Sequence, residues 1–419
     1  MLPGIKERNF IMKSELIERI FAETAYVRTG GSDEELRAAE YLKKICAESG
    51  FDARIEDFKV DMATIKEAEL TVDGKSIPCK GYLCSGSAEL EAPLYYLTSD
   101  DKYSLSLCSG KIVLFDGYLR YWMYRDLIDN GALGFISYDG NVNFADNDID
   151  QRELRSYVSN GDKIPGVNIN AKDAVAIVDG NAKTAKIKLS QDEYKGNSSN
   201  VVFDLPGETD KMIVFTAHYD STSLSQGAYD NMSGCVGLLG IAEYFLANPH
   251  RYSLRFIFCG SEERGLLGSK AYCAAHEDEL ENVDLVINLD MIGSIMGKFI
   301  ACATSENALV NYISYMGNEL GFQVSAYQDV YSSDSTPFAD KGVPAVSFAR
   351  VTSREIAPIH NSYDTAKVLK TEHMQKDIDF ITAFAARMAN SKRCPVSREI
   401  PENVKEKIDE YLFRKKKKS

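Results

Sequence analysis

Three apolar segments of this 419-residue chain run directly into side chains that bind metals or transfer protons. These side chains are His218 and Asp220 after the first segment, Glu262 and Glu263 after the second, and Asp290 after the third. Imidazole and carboxylate groups are ligands of Zn²⁺ and are also common general bases. The pattern therefore indicates metal-assisted hydrolysis or acid–base chemistry.

Two further residues of the same types lie in loops. Asp230 lies in a glycine-bounded turn, 227–234, that opens a predicted helix, and His360 follows the last apolar segment. Each position alone is unremarkable, but carboxylates that follow buried strands would be costly to bury without a cation. Two Zn²⁺ ions would neutralise such a cluster. The remaining histidines have polar neighbours and are predicted to lie on the surface; they are His250, His276 and His373.

The elements that must position these residues indicate an α/β fold. Near-continuous apolar strands are predicted at 201–207, 212–220, 255–263, 285–291 and 343–349, with helical patterns between them. Such strands are typical of a largely parallel sheet that is buried on both faces. We therefore expect a three-layer αβα sandwich with a mostly parallel mixed sheet. In such sheets, ligands bind beyond the carboxyl ends of the strands, where the residues above would converge.

Changes in the pattern of predicted helices and strands along the chain indicate a discontinuous catalytic domain. Residues 12–48 read as two helices, the second opened by a capping box of Ser32 and Glu35. Short strands and turns, with one helix, fill residues 68–190 and predict a small β-rich insert. The catalytic domain is thus expected to comprise 1–67 and 191–400, with a polar helical and basic tail at 401–419.

Composition excludes several classes of function. The formal net charge is −14, so a nucleic-acid partner is not expected. No apolar stretch approaches the ~18 residues of a membrane span, and we expect no membrane partner. The basic run 414–418 is predicted to be a solvated end. Nine cysteines without a Cys-x-x-Cys pattern, and an N-terminus without a secretory pattern, favour a reducing compartment, the cytoplasm.

The motifs, in order, resemble those of the co-catalytic zinc aminopeptidases, which are related to glutamate carboxypeptidase. The matching motifs are His-x-Asp at 218–220, Asp-Asn-x-Ser-Gly at 230–234, Glu-Glu at 262–263, Asp290 and His360, and the likeness covers residues 12–66 and 190–395. The resemblance implies two Zn²⁺ ions and a peptide substrate. It also implies five ligands: His218, Asp230 as the bridge between the metals, Glu263 on one metal, Asp290 on the other, and His360.

The middle region is similar to the protease-associated domain that is often inserted in such enzymes. The segments that carry this likeness are 109–117, 130–140 and 164–174.

Three further residues receive roles in catalysis. Metal coordination lowers the pKa of water to about 7, and Glu262 would accept its proton, since neighbouring side chains diverge and Glu262 cannot face the same metal as Glu263. Asp220 projects to the same side as His218 and is predicted to accept the second imidazole N–H. Relatives use a Tyr upstream of Ser-Asp-His to stabilise the oxyanion; here Tyr331 is the candidate, although Ser335 replaces that His.

The main hypothesis is an aminopeptidase, and three alternatives stay open. A glutamate-type carboxypeptidase would need a cationic pocket, which Arg350 and Arg354 could supply. A glutaminyl-cyclase-like enzyme shares the fold. A catalytically silent binding protein, like the transferrin receptor, would not need the intact ligands and Glu262.

Overall fold

The computed structural model describes residues 12–142 and 149–416. Its contacts divide the chain into a split unit, residues 1–58 with 197–419, and a middle unit, residues 59–196. The predicted insert, 68–190, begins nine residues later and ends six residues earlier than this unit, because a long strand runs through each boundary without a change of pattern. Among the described residues, no helix has the length and apolarity to cross a bilayer.

Twelve helices occur in the described residues: α1 Ser14–Glu23, α2 Asp33–Glu48, α3 Lys102–Ser106, α4 Tyr121–Asp129, α5 Ser156–Ser159, α6 Ala171–Asp179, α7 Ser233–Ala247, α8 Leu267–Ala275, α9 Asn307–Leu320, α10 Ser335–Asp340, α11 Thr371–Ala389 and α12 Glu402–Tyr411. Fourteen strands occur there: β1 Arg54–Val72, β2 Lys75–Ile77, β3 Cys79–Gly81, β4 Ala88–Leu97, β5 Ile112–Phe115, β6 Gly134–Asp139, β7 Gly166–Asn170, β8 Thr184–Leu205, β9 Thr209–His218, β10 Tyr252–Cys259, β11 Val283–Leu289, β12 Lys298–Thr304, β13 Ser325–Gln328 and β14 Ala345–Val351.

The split unit contains an open, mixed sheet in the order β13-β12-β14-β11-β9-β10-β8. The central strands β14, β11, β9 and β10 are parallel, whereas β12 and β8 run antiparallel to their inner neighbours. The predicted α/β fold is confirmed. Parallel neighbours matter for function because their carboxyl ends meet at one edge of the sheet.

Alternating side chains of this sheet enter two separate hydrophobic cores. On β10, Phe256 and Phe258 face one core while Ile257 and Cys259 face the other. Helices α2, α7, α9 and α11 supply residues to the first core, and α8 and α10 supply residues to the second. The strands are therefore apolar without interruption, since both of their faces are buried.

The middle unit contains more helix than the sequence predicts. Strands β4, β5, β6 and β7 are parallel neighbours, and helices α3 to α6 lie along the chain between or after them. On β5, Ile112 and Leu114 enter one core while Val113 and Phe115 enter another. Only α4 was predicted: α3 and α5 carry too few turns for a periodic pattern, whereas α6 has the same length as α4 and was missed.

The predicted polar helical tail contains helix α12, which packs against the rest of the split unit, and Lys417 and Lys418 of the basic run lie outside the described residues. Val404 and Ile408 of α12 are buried against Ala339 and Ile400. Arg414, the first residue of the basic run, forms ion pairs with Asp340 and Asp409. The two apolar residues of α12 are four positions apart, a pattern too short to be distinguished from a solvated helix by sequence.

Candidate metal centre

The sheet register brings three predicted site residues to one edge. His218 ends β9 in register with Cys259, the last residue of β10, and Asp290 follows β11 on the other side of β9. One ligand atom from each of His218, Glu262 and Asp290 lies within 4.8 Å of the other two. This convergence follows from the parallel arrangement of β10, β9 and β11.

A second group of ligand atoms comes from Asp230, Glu263 and His360, again within 4.8 Å of one another. Asp230 joins the two groups: its Oδ1 lies 3.1 Å from His218 Nε2, and its Oδ2 lies 3.2 Å from His360 Nε2. His360 Nε2 is also 3.3 Å from Glu263 Oε1. The two oxygens of one buried carboxylate therefore face two different imidazoles.

Asp220 holds the turn that carries the glutamate pair. Its Oδ1 accepts a hydrogen bond from the backbone N–H of Glu262 (2.9 Å), and its Oδ2 accepts one from that of Glu263 (3.1 Å). Asp220 Oδ1 also lies 3.4 Å from His218 Nδ1, the imidazole atom that it was predicted to contact, but Nδ1 makes no hydrogen bond with any described residue. The sequence predicted the location of Asp220 beside the imidazole and missed its bonds to the turn.

Glu35 extends this support to the preceding residue. Its Oε1 accepts hydrogen bonds from the Ser261 N–H (2.7 Å) and the Ser198 hydroxyl (2.9 Å). Ser32 caps α2 by accepting from the Glu35 N–H, as the capping box predicts, but the Glu35 carboxylate bonds to Gly31 N (2.6 Å) instead of to Ser32. Three successive amides at the glutamate turn are thus bound by two buried carboxylates.

Asp230 is held by a residue to which the sequence assigned no role. Asp364, four residues after His360, accepts hydrogen bonds from the backbone N–H groups of Tyr229 (2.7 Å) and Asp230 (3.2 Å). Burial, followed by the negative charge of Asp230, raises the pKa of Asp364 to about 6. In the sequence, only the position of Asp364 in the loop of His360 could have indicated this role.

Asn231 ties the Asp230 turn to the strand end that carries Asp290. Its amide donates to Leu289 O (2.8 Å), and its Oδ1 accepts from the N–H groups of Gly234 and Met291, each at 3.0 Å. Gly234 allows this approach, since a Cβ there would lie 2.5 Å from Leu289 O. The Asp-Asn-x-Ser-Gly motif therefore fixes the spacing between Asp230 and Asp290.

Arg28 holds the loop between His218 and Asp230 in place through hydrogen bonds. Its fully buried guanidinium donates to the backbone carbonyls of Tyr219, Gln226 and Gly227. Every one of these acceptors is neutral backbone, so the charge of Arg28 is left to interact with nearby carboxylates, including Asp220.

Three residues of the site have a left-handed backbone conformation. Ser261, Met291 and His360 have φ values of 53°, 65° and 62°, in the left-handed region that disfavours side chains with a Cβ. The first precedes Glu262, the second follows Asp290, and the third is a predicted ligand. Such conformations persist where surrounding contacts enforce them, and they are most common at functional sites.

The electrostatics of the cluster fit a divalent cation. Burial would lower the pKa of His218, but the charges of Glu262 and its neighbours raise that pKa well above its ordinary value. Glu263 raises the pKa of His360 to about 12, and burial raises that of Glu262 well above its usual range. Asp290 Oδ1 is buried without a hydrogen-bond partner among the described residues. Buried carboxylates in excess of imidazoles require a compensating cation.

Tyr331 lies in the loop between β13 and α10. Burial, followed by the charges of Asp290 and Asp230, raises the pKa of its hydroxyl well above the ordinary value. The side chain is therefore within electrostatic reach of the cluster. Ser335, which stands where relatives have His, is buried and bonded to Ser347 at 2.8 Å.

The cationic pocket considered for a carboxypeptidase does not form around Arg350. Its guanidinium is paired with the buried Asp377 and also donates to Gly297 O. Arg354 is exposed in the loop that follows β14.

The three remaining histidines lie away from the cluster, but the prediction that they are simple surface residues is wrong. Each is partly buried, and each ring bonds to the protein: His250 to Tyr252 O, His373 to Ser294 O, and His276 to Glu56 and Glu279. Two of these partners, Ser294 and Glu56, are 79 and 220 residues away in the sequence, so no local pattern could have indicated them.

Comparison with known proteins identifies a family and relatives that this chain resembles. Residues 200–385 match Peptidase family M28. The aminopeptidase YwaD of Bacillus subtilis is 26% identical over 387 residues, which span 88% of this chain and 82% of that protein.

Two solved structures share the fold. The zinc aminopeptidase BSAP from Bacillus subtilis superposes with a TM-score of 0.77 at 24% identity, covering 94% of this chain and 100% of that one. The aminopeptidase of Aneurinibacillus sp. strain AM-1 gives a TM-score of 0.75 at 23% identity, covering 93% and 97%.

Replacing Asn231 tests the tie between the Asp230 turn and β11. Asn231→Ala removes the hydrogen-bond partner of one backbone carbonyl and two backbone N–H groups. Each buried polar group that is left unsatisfied costs about 1–3 kcal/mol. We expect a clear fall in the thermal unfolding midpoint, measured without added metal. Asn248→Ala, which removes one partly buried bond at the other end of α7, is the matched control. Equal shifts for the two variants would contradict the assignment.

Proposed function

We propose that this chain, which belongs to the co-catalytic zinc aminopeptidases, is a zinc-dependent exopeptidase that removes N-terminal residues from peptides. The observation that carries the proposal is Asp230, whose two oxygens face His218 and His360 at 3.1 and 3.2 Å. A carboxylate in this arrangement can bridge two metal ions. The relation to aminopeptidase YwaD supports the reaction type.

The proposed zinc centre holds two ions. His218 and Asp290 would bind one, Glu263 and His360 the other, and Asp230 both. The donor set fits zinc, which takes nitrogen and oxygen ligands and keeps an open position when catalytic. When bound, zinc lowers the pKa of water and polarises the substrate carbonyl.

Glu262 is proposed to move the proton. Burial raises its pKa well above the ordinary value, so its carboxylate is poised to take a proton from water and pass it to the leaving amine. Asp220 fixes the backbone N–H of Glu262 and thereby the direction of its side chain. Tyr331 is proposed to donate its hydroxyl to the developing oxyanion, because a tyrosine hydroxyl is protonated at neutral pH and can serve as a hydrogen-bond donor.

The arrangement of cations favours an aminopeptidase over a carboxypeptidase. A carboxypeptidase needs a cation for the terminal carboxylate of its substrate, whereas Arg350 is held by Asp377 and Arg28 by backbone carbonyls. Cyclisation and a silent binding role are disfavoured by the complete ligand set and Glu262.

We also propose a reducing location, the cytoplasm. Cys46, Cys235 and Cys259 are buried thiols, and burial raises their pKa. Thiols in such surroundings are inert and serve packing.

Substrate choice tests the reaction. Protein stripped with a chelator and restored with Zn²⁺ should hydrolyse amino-acid p-nitroanilides that have a free amine. It should not hydrolyse their N-acetylated counterparts or N-blocked peptides ending in glutamate, because these lack the amine. Cleavage of the blocked glutamate peptides alone would support the carboxypeptidase instead, and the absence of zinc-dependent turnover would support a binding protein.

Neighbouring glutamates provide a matched pair of variants. Glu262→Gln should retain the zinc content of the parent, yet lose activity by a factor of about 10²–10⁴, the usual contribution of a general base. Glu263→Gln should lose zinc, since it removes a proposed ligand. Zinc content and kcat would be measured on the same preparations. An active Glu262→Gln variant would show that another group accepts the proton.

Zinc uptake should release protons. In the metal-free protein the raised pKa values keep His218 and His360 protonated at neutral pH, whereas a zinc ligand must be neutral. Affinity should therefore fall as pH falls. Calorimetric titration in buffers of different ionisation enthalpy measures the released protons. His276→Ala, away from the cluster, should leave the number unchanged, and an enthalpy independent of buffer would contradict the prediction.

A further inference from the structure

One face of helix α12 lies along the segment that leads from β13 to Tyr331. Three side chains spaced four residues apart on this helix contact three residues of the segment. They are Asn403 with Gln328 (Nδ2 to Oε1, 2.8 Å), Lys407 with Asp329 (Nζ to Oδ1, 3.0 Å) and Tyr411 with Ser332 (OH to Oγ, 2.7 Å). Residues at this spacing share one helix face, so the contacts form a continuous row.

An apolar seam lies beside the polar row. Val404 and Ile408 are buried, and Val330 packs against them from the segment. The helix therefore contacts Gln328, Asp329, Val330 and Ser332, which directly precede or flank Tyr331.

The segment also has bonds to the rest of the split unit, including one from Gln328 Nε2 to Ser305 O (2.8 Å). It follows β13, the outermost strand of the split unit's sheet. Its backbone is bonded to the end of β12 through Asp329 N to Ala303 O (3.2 Å) and Thr304 Oγ1 to Asp329 O (3.0 Å). Beyond Asp329, the Tyr331 carbonyl accepts from Ser333 N (2.8 Å) and Thr336 Oγ1 (2.7 Å). These bonds hold the Tyr331 carbonyl from the C-terminal side of the loop, and α12 contacts the residues on its N-terminal side.

We infer that α12 is a positioning element for catalysis, which holds the 328–332 segment and thereby the position of Tyr331. The inference rests on the role proposed above for Tyr331. A donor displaced by about 1 Å can cost as much as 10²-fold in rate, so loss of the helix contacts should lower kcat. The zinc ligands lie on other elements, so zinc content should not change.

Ile408→Ser tests the apolar seam, and Tyr411→Phe tests the hydroxyl contact while preserving the fold. Lys405→Ala, on an exposed face of the same helix, is the control. We expect faster amide hydrogen exchange over 328–333 and a kcat lower by roughly tenfold for Ile408→Ser. Tyr411→Phe should produce a smaller change of the same sign. Zinc content should match the parent in every variant.

A double-mutant cycle separates positioning from general destabilisation. Tyr331→Phe alone should lower kcat by about 10²-fold, the cost of one oxyanion donor. In that background Ile408→Ser should have no further effect on kcat, since the group that α12 positions is already gone. An equal loss in both backgrounds, or unchanged exchange over 328–333, would overturn the inference.

The same measurements distinguish the two proposals. If Tyr331→Phe keeps parental kcat, the role of Tyr331 is wrong and this inference fails with it, while zinc-dependent hydrolysis stands. If the parent has no zinc-dependent activity, the proposed function fails, and the exchange data alone decide whether α12 orders the segment.

Discussion

The contact of one buried carboxylate, Asp230, with two imidazoles is the interaction on which the rest of the site depends. His218 and His360 come from distant parts of the chain, and each faces one oxygen of Asp230. Further carboxylates surround this pair, and their negative charge is what raises the pKa values of both histidines against the effect of burial. Bound protons or metal ions compensate the charge of such a cluster, and a metal pair is the compensation that we propose for the active protein.

The fold deals with its buried carboxylates in two ways. Those of Glu35, Asp220 and Asp364 accept backbone N–H bonds and hold the glutamate turn and the Asp230 turn in place. Hydrogen bonds of this kind stabilise a carboxylate without a cation. Asp290, by contrast, keeps a buried oxygen without a hydrogen-bond partner in the described part of the chain. The carboxylates that accept backbone N–H bonds hold in place the turns that carry the proposed ligands. Those ligands, Asp290 among them, are therefore left to contact metal ions and substrate.

Much of this arrangement could be predicted from the sequence, because the positions of the site residues follow from the order and direction of the strands. Continuous apolar runs that end in polar residues predict a parallel sheet and one functional edge, and the structure brings His218, Glu262 and Asp290 together there. Other features depend on contacts that no local pattern records. Glu35 reads as a helix cap, yet it bonds to Ser261, 226 residues away. Arg350 reads as a free cation, yet Asp377 neutralises it, and α12 reads as a polar tail, yet two of its residues are buried.

Anomalous diffraction from crystals of the zinc-loaded protein, recorded on both sides of the zinc edge, tests the central claim most directly. The account predicts two peaks, one on each side of the Asp230 carboxylate, the first beside His218 and Asp290 and the second beside Glu263 and His360. A single peak that does not touch Asp230, or peaks remote from both histidines, would contradict it.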